Sequence, residues 1–432
     1  MLRRLYIDWP AMQKLTLEKE GTAHVKELTK LLKDMPDKYD MQIKLKNLLR
    51  IEQTYDLNAV VMAQGKFMNS QFDTAMSVRD YVAVANANYE SGHYDKSMLW
   101  YRMALEHAEP NAEAHTELLG DAFKDTHAKL AKVYLLYSLS NSYKQLSAAQ
   151  LNASVDELMS KANEADLKHY TTLLLSEDLN QMLERVNQRK SAPSAHYLGC
   201  RGQFATPPKL SCCYNATTSA FLILAPLKME QISLDPYMVL YHNVISPAES
   251  LEMQELSIGA MSNGLSTVNL NNLTSPPDIV ARIKWLRTES DFSQRINQRI
   301  TDMTGFDVKE FPALQVANFG IGNYFMPHFD YMDGDRVHQG EIDELGDRMG
   351  SLVFYAGNVT LGGSIVFPEL QLAVTAARGS ALFWYNLFDD GSKDPRTLHS
   401  VCPVVRGTRW TLTKWIHAAP QMFIKPCSKK SV

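Results

Sequence analysis

Residues 326–332 read MPHFDYM. In a strand, side chains two apart leave the same face. His328 and Asp330 placed so can offer an imidazole and a carboxylate to one metal ion. The pair alone is unspecific, because ordinary polar residues at a strand end give the same spelling. A third ligand changes its meaning. His399 heads an apolar run in RTLHSVCPVVRGTRWTLTKW, about seventy residues further on. Two histidines and one carboxylate are the facial donor set of non-haem iron(II) oxygenases, and they leave positions open for other ligands. The open positions suit O₂ and a 2-oxo acid that chelates through its keto and C1 carboxylate oxygens. Arg409 follows His399 by ten residues, across the RGT turn. A guanidinium there can grip the distal carboxylate of 2-oxoglutarate through two parallel hydrogen bonds. Zinc accepts the same donors. It needs no arginine at that spacing, however, and no Glu or His offers itself as the general base of a hydrolase. The combined reading is Fe(II), with 2-oxoglutarate and O₂ as cosubstrates.

Ligands so far apart in sequence need a rigid frame. From about residue 236 the chain breaks into short apolar runs such as YMVLYHNVI, ALQVANFGI, SLVFYAGNV, SIVFPEL and RWTLTKWIH, split by Gly, Pro, Asn and Asp. Strands at this spacing predict a β-sandwich or barrel. Helical patterns at 247–263 and 277–303 are expected to buttress one sheet. Phe383, Trp384 and Tyr385 would pack near the site, and Asn386 and Gly363 are expected to help shape it, with no assigned task.

The first half has a different texture. Residues 14 to about 65 read as helices, with Ile43, Leu45, Leu48, Leu49 and Ile51 mostly on one stripe. ANYESGHYDKSMLWYRMALEHAEP follows the second half of a tetratricopeptide repeat, with Gly92 and Tyr94 at the turn, Ser97 small, then Tyr101, Ala104 and Pro110. Residues 125–175 are expected to be helical, with Tyr134, Tyr137 and Tyr143. Flat tyrosine rings can dock an extended proline-rich peptide, and the same stripe can simply be core. NQRKSAPSAHYLGCRGQFATPPKLSCC reads as a linker.

With 432 residues, two or three domains are expected. A net charge of -4 argues against a broad nucleic-acid surface. No apolar run is long enough to span a membrane. The first residues carry a basic pair without an apolar signal region, so the expectation is that the true N-terminus is missing or the signal was lost. The five cysteines fall in two clusters, Cys200, Cys212 and Cys213, then Cys402 and Cys427, which suit either short disulfide loops or free thiols. Glycosylation sequons begin at Asn152, Asn215, Asn272 and Asn358.

At these residues the sequence resembles the collagen prolyl 4-hydroxylase α subunit family. LLRIEQTYDL is similar to its N-terminal helical region and NYESGHYDKSMLWYRMAL to its peptide-binding repeat. LQVANFGIGNYFMPHFD, GGSIVFPE, GSALFWYNL and RTLHSVCPVVRGTRWTLTKWIH are similar, in order and spacing, to its catalytic domain. The resemblance implies an α+β multidomain chain. Residues 1–75 would form a helical, dimerisation-type region, 76–176 a tetratricopeptide-like peptide-binding domain and 177–235 a linker with a local disulfide. Residues 236–427 would form a double-stranded β-helix, or jelly-roll, catalytic domain.

It implies His328, Asp330 and His399 as iron ligands and Arg409 as the 2-oxoglutarate anchor, where the family normally has lysine. Phe325 stands where the family usually has tyrosine, and Thr413 where it often has asparagine. Tyr94, Tyr134 and Tyr137 become candidate peptide contacts. Disulfides are implied between Cys402 and Cys427 and between Cys200 and Cys212 or Cys213. The implied reaction is 4-hydroxylation of proline in collagen-like X-Pro-Gly sequences, with L-ascorbate as reductant. The implied setting is the endoplasmic reticulum lumen, in an α₂β₂ assembly with protein disulfide isomerase. The alternative is a divergent, weakly active paralogue that binds proline-rich peptides or the isomerase.

Overall fold

A computed structural model describes residues 9, 12–13, 38–68, 70–107, 126–142, 145–188, 192–204, 211–263, 279–308, 312–332, 339–375 and 377–428. Pro110, Tyr143, Asn272 and the predicted helical stretch at 14–37 lie outside them. The chain divides into two compact units, Met1–Ala192 and Pro193–Val432.

In the first unit, α1 (Lys38–Tyr55) and α2 (Ala59–Ala63) precede two short paired strands, β1 (Lys66–Phe67) and β2 (Ser70–Gln71). Then come α3 (Val78–Glu90), α4 (Tyr94–Glu106), α5 (Thr126–Ser142), α6 (Ala148–Lys161), α7 (Glu164–Ser176) and α8 (Leu179–Gln188). A capping box starts α3: Ser77 accepts from the Asp80 amide while the Asp80 carboxylate accepts from the Ser77 amide. Such a cap contributes about 1 kcal/mol. The turn into α4 needs Gly92 at φ +76°, a region open to glycine. Ser97 is small enough for α3 and α4 to approach, and its hydroxyl donates to the Ala85 carbonyl at 2.8 Å. Tyr81, Val84, Ala85, Met98, Trp100 and Met103 form the core around this helix pair.

The second unit opens with α9 (Ala195–Cys200), β3 (Cys212–Asn215), β4 (Leu227–Leu234), β5 (Tyr237–His242), α10 (Pro247–Ile258), β6 (Ser262–Asn263), β7 (Ile279–Val280) and β8 (Arg282–Trp285). After α11 (Asp291–Thr304) come β9 (Gln315–Phe319), β10 (Tyr324–His328), α12 (Gln339–Leu345), β11 (Arg348–Tyr355), β12 (Val359–Gly362), β13 (Ile365–Phe367) and β14 (Leu372–Val374). The last strands are β15 (Ala381–Tyr385), β16 (His399–Val401), β17 (Val404–Gly407) and β18 (Arg409–His417).

Among the described residues, the larger sheet has nine strands, ordered β3-β4-β5-β15-β11-β18-β9-β8-β6. The smaller has five, ordered β14-β13-β16-β10-β7. The period of two gives the larger sheet two different faces. Val239, Tyr241, Leu352, Phe354, Phe383, Leu412 and Ile416 pack with Met253, Phe292, Ile296 and Ile300 of α10 and α11. Met238, Leu240, Val353, Tyr355, Leu382 and Trp384, on the alternate positions, pack with Ile365, Phe367, Leu372 and Val374 of the smaller sheet. The result is a two-sheet jelly roll buttressed by helices on one outer face, as expected.

Three expectations need correction. Residues 279–285 form β7 and β8 rather than the start of a helix. Their alternating burial, with Ile279 and Ala281 inside, is a period-two signal that the apolar content masked. The latter part of the expected linker is not a spacer, since β4 pairs with β5 inside the main sheet.

The disulfide also differs from both implied pairings. Cys200 bonds to Cys402, with Cα atoms 5.6 Å apart, and Cys212, Cys213 and Cys427 are exposed thiols. The cause is topological. Cys212 and Cys213 lie on the far edge strand of the larger sheet, whereas α9 packs against the smaller one. Gly199 allows that approach, since a Cβ there would meet Val366 at 2.4 Å. Next to the disulfide, His196 Nδ1 and the Ser400 hydroxyl are hydrogen-bonded at 2.7 Å. Burial lowers the His196 pKa to about 4.

Peptide mapping under non-reducing conditions should yield a Cys200–Cys402 cross-linked pair; a Cys402–Cys427 pair would contradict the packing of α9. His196 stays neutral in the fold down to about pH 4, while the unfolded chain takes up its proton near the ordinary value of about 6.5. The second unit should therefore lose stability, relative to a His196→Gln variant, as pH falls through that window. Melting temperatures at pH 7 and pH 5 test the sign.

Candidate metal centre

Pairing of β10 with β16 sets the site. The ladder is antiparallel and places His328 directly opposite His399. Cross-strand neighbours on one face meet whatever their distance in sequence, and the imidazole centroids are 4.3 Å apart. Asp330 lies two residues beyond His328, past the last residue of β10 rather than within it. The bend returns its carboxylate to the two rings: Oδ1 is 3.7 Å from His328 Nε2 and Oδ2 is 3.8 Å from His399 Nε2. One ligand atom from each of the three residues lies within 4.8 Å of the others.

Each imidazole is oriented by the backbone. His328 Nδ1 donates to the Met326 carbonyl at 2.8 Å, and His399 Nδ1 donates to the Thr397 carbonyl at 3.0 Å. A carbonyl only accepts, so both rings carry their proton on Nδ1 and turn the Nε2 lone pair toward the centre. Burial first, and His399 second, pull the His328 pKa well below its ordinary value, so the ring is neutral as a ligand must be. Burial would raise the Asp330 pKa, but the two imidazoles, Ser351 and Arg348 together hold it below the usual carboxylate range. This donor set fits a hard or borderline divalent ion such as Fe(II).

Apolar rings enclose the cluster. Phe325 stacks on His328 with centroids 3.5 Å apart, while Phe367 and Trp384 lie 5.4 and 5.0 Å from His399. The departure from tyrosine at Phe325 thus leaves a flat ring over a candidate ligand.

Arg409 begins β18 and is 4% exposed. Its guanidinium lies between the rings of Phe319 and Tyr355, at 5.0 and 5.2 Å. The Tyr355 hydroxyl and the guanidinium interact with each other, although neither Nε nor the hydroxyl makes a well-formed hydrogen bond among the described residues. Burial lowers the Arg409 pKa and raises that of Tyr355. A buried cation with no carboxylate beside it is expensive unless a ligand brings one. This unmet demand is the structural feature that fits the distal carboxylate of 2-oxoglutarate.

Tyr355 was not singled out in the sequence. Its signal was its place: the register sets Tyr355 opposite Thr411, two residues from Arg409. Ser351 was also missed; its hydroxyl donates to Asp330 Oδ2 at 2.6 Å. Thr413 is buried on the same strand as Arg409.

The other candidates lie elsewhere. Tyr137 is 8% exposed within the helical core, and Tyr94 and Tyr134 are half-buried at its margin. The Asn152 amide donates to the Tyr94 hydroxyl and accepts from that of Tyr89. Asn215 closes a local turn with Thr217 and Thr218, and Asn358 is exposed before β12.

Arg409→Ala should raise the 2-oxoglutarate requirement steeply, by on the order of 100-fold or more for a lost bidentate charge pair, while metal binding persists. Equal loss of both would make Arg409 a structural residue. Calorimetric titration of each ligand separates the outcomes.

Residues 314–417 match the model of the 2OG-Fe(II) oxygenase superfamily, and residues 1–69 match that of the prolyl 4-hydroxylase alpha-subunit N-terminal region. The chain is 28% identical to prolyl 4-hydroxylase subunit alpha-2 of Gallus gallus, covering 100% of this chain and 83% of that protein. It is 28% identical to subunit alpha-1 of Homo sapiens, covering 99% and 83%. With subunit alpha-2 of Caenorhabditis elegans it is 29% identical, covering 99% and 81%. Among solved structures, the viral collagen prolyl hydroxylase of Paramecium Bursaria Chlorella virus-1 is 19% identical, covers 42% of this chain and 96% of its own, and has a TM-score of 0.33. Over almost its whole length the chain is thus similar to prolyl 4-hydroxylase α subunits, at 28% identity, and its residues 314–417 match the 2OG-Fe(II) oxygenase superfamily.

Proposed function

We propose that this chain 4-hydroxylates peptidyl proline in collagen-like X-Pro-Gly sequences, coupled to oxidative decarboxylation of 2-oxoglutarate to succinate and CO₂. The observation that carries this is the joint one: two imidazoles and a carboxylate within 4.8 Å of one another, in the unit that buries Arg409 without an acidic partner among the described residues. Whole-length relatedness to prolyl 4-hydroxylase α subunits supports proline as the target.

His328, Asp330 and His399 would hold Fe(II). Iron supplies the redox chemistry that lets O₂ react with the 2-oxo acid and with an unactivated C–H bond. The protein's part is binding, orientation and exclusion of water. The Nδ1–carbonyl bonds fix the tautomer of both imidazoles and aim them. Arg409, with the Tyr355 hydroxyl beside it, would pair with the distal carboxylate of 2-oxoglutarate and so fix where its reacting end lies. Phe325, Phe367 and Trp384 keep the ligand histidines in an apolar surrounding, which shields the reacting atoms from solvent.

The finer assignments belong to the same reading. The α3–α4 hairpin would act as a tetratricopeptide-like peptide-binding element, with Tyr94, Tyr134 and Tyr137 as its candidate contacts. Protein disulfide isomerase would be the β partner, ascorbate the reductant, and the endoplasmic reticulum lumen the compartment. The Cys200–Cys402 disulfide supports an oxidising setting.

Anaerobic addition of Fe(II) and 2-oxoglutarate should give a visible charge-transfer band. With O₂ and a (Pro-Pro-Gly) peptide, succinate should form together with a +16 mass shift on proline. A band and succinate with the shift on another residue would change the target. Peptide binding with neither band nor succinate would instead favour a non-catalytic, proline-rich-peptide-binding subunit.

A further inference from the structure

Behind Asp330 lies a short chain of buried polar groups with no part yet in the mechanism. Ser351 and Asn386 are both 0% exposed. Ser351 sits mid-strand in β11, opposite Trp384 on one side and Trp415 on the other. Its Oγ is 2.6 Å from Asp330 Oδ2, and Asn386 Nδ2 is 2.9 Å from the same Oγ. Asn386 Nδ2 also lies 3.2 Å from the Arg348 carbonyl oxygen.

The direction of every proton in this chain follows from chemistry. The Arg348 carbonyl can only accept, so the Asn386 amide must present nitrogen, not oxygen, toward it. That same nitrogen then donates to Ser351 Oγ. The hydroxyl, already accepting from the amide, turns its own proton to the one remaining acceptor, the Asp330 carboxylate. The backbone of Asn386 is itself held, its N–H donating to Met349 and its carbonyl accepting from Asp394. Ser351 is fully buried, and a charge-assisted O–H···O⁻ bond of this length is a strong one.

We infer that Ser351, oriented by Asn386, is a positioning residue whose hydrogen bond engages Asp330 Oδ2 and so favours Oδ1 as the carboxylate donor to a metal. The inference rests on the metal reading given under the proposed function. Its consequence is a coordination count. A six-coordinate ion with two imidazoles and one carboxylate oxygen keeps three positions open, enough for a chelating 2-oxo acid and one further ligand. A carboxylate free to bind through both oxygens would take one of them. Ser351 and Asn386 would thus help keep the third position available.

The test uses the full chain stripped of metal, with Co(II) as the probe and its visible d–d band as the signal. Ser351→Ala should weaken Co(II) binding by about 10–100-fold, the range for lost partners of metal ligands. It should also change the d–d band and weaken the uptake of 2-oxoglutarate by the Co(II)-loaded protein. Ser351→Thr, which keeps a hydroxyl, should restore the wild-type band. Asn386→Ala, which frees the hydroxyl to rotate, should fall at the low end of that range and serves if Ser351→Ala does not fold. A lower melting temperature of the metal-free variants with unchanged Co(II) affinity and band would make both residues purely structural and overturn the inference. Failure of the wild-type chain to take up Co(II) would overturn the metal reading itself, and this inference with it.

Discussion

One antiparallel register carries the site. In the β10–β16 ladder His328 stands opposite His399, and this pairing turns two residues far apart in sequence into side-by-side ligands. A slip of one residue would send one imidazole to the opposite face and dissolve the cluster. Much of the second unit can be understood as holding that register. The β16 strand is flanked by β13 and β10, tied to α9 by His196 and Ser400, and followed at once by the Cys200–Cys402 bond. The larger sheet closes the opposite side with Leu382, Trp384 and Val353. Its outer face is covered by α10 and α11, so β11 is fixed from behind.

The polar groups inside this sandwich divide into two sorts. Some are fully answered within the protein. Asp330 is met by Ser351, and Lys414 donates to the Pro312 carbonyl at 2.6 Å, with burial lowering its pKa to about 8. Others are answered only by each other: Arg409 and the Tyr355 hydroxyl interact, with no carboxylate paired to the guanidinium among the described residues and no well-formed hydrogen bond at Nε or the hydroxyl. A fold tolerates such groups where a ligand completes them. The Arg409 guanidinium lies 5.0 and 5.2 Å from the ring centroids of Phe319 and Tyr355, and a planar guanidinium can meet a carboxylate with two parallel donors.

Much of this was legible in the sequence because it rests on local alternation and residue chemistry. His328, Asp330 and His399 announced themselves by type, and Arg409 by its offset. The β-rich texture after residue 236 gave the jelly roll, and Gly92 with Ser97 gave the helical hairpin. What stayed hidden depends on tertiary placement. The partner of Cys200 follows from α9 crossing the smaller sheet, which no cysteine spacing encodes. Asp330 reaches the site from a bend past the strand end, so the alternation argument reached the right residue by a different backbone route. Ser351 is a lone serine in an apolar strand, and only the carboxylate above it gives the hydroxyl a task.

The central claim is that iron is held by both imidazoles at once. X-ray absorption at the iron edge, on the anaerobic full chain loaded with Fe(II) and 2-oxoglutarate, tests it most directly. The account predicts a six-coordinate N/O shell with outer-shell scattering from two imidazoles, reduced to one in His399→Ala. A spectrum without imidazole scattering, or one that the His399 substitution leaves unchanged, would contradict it.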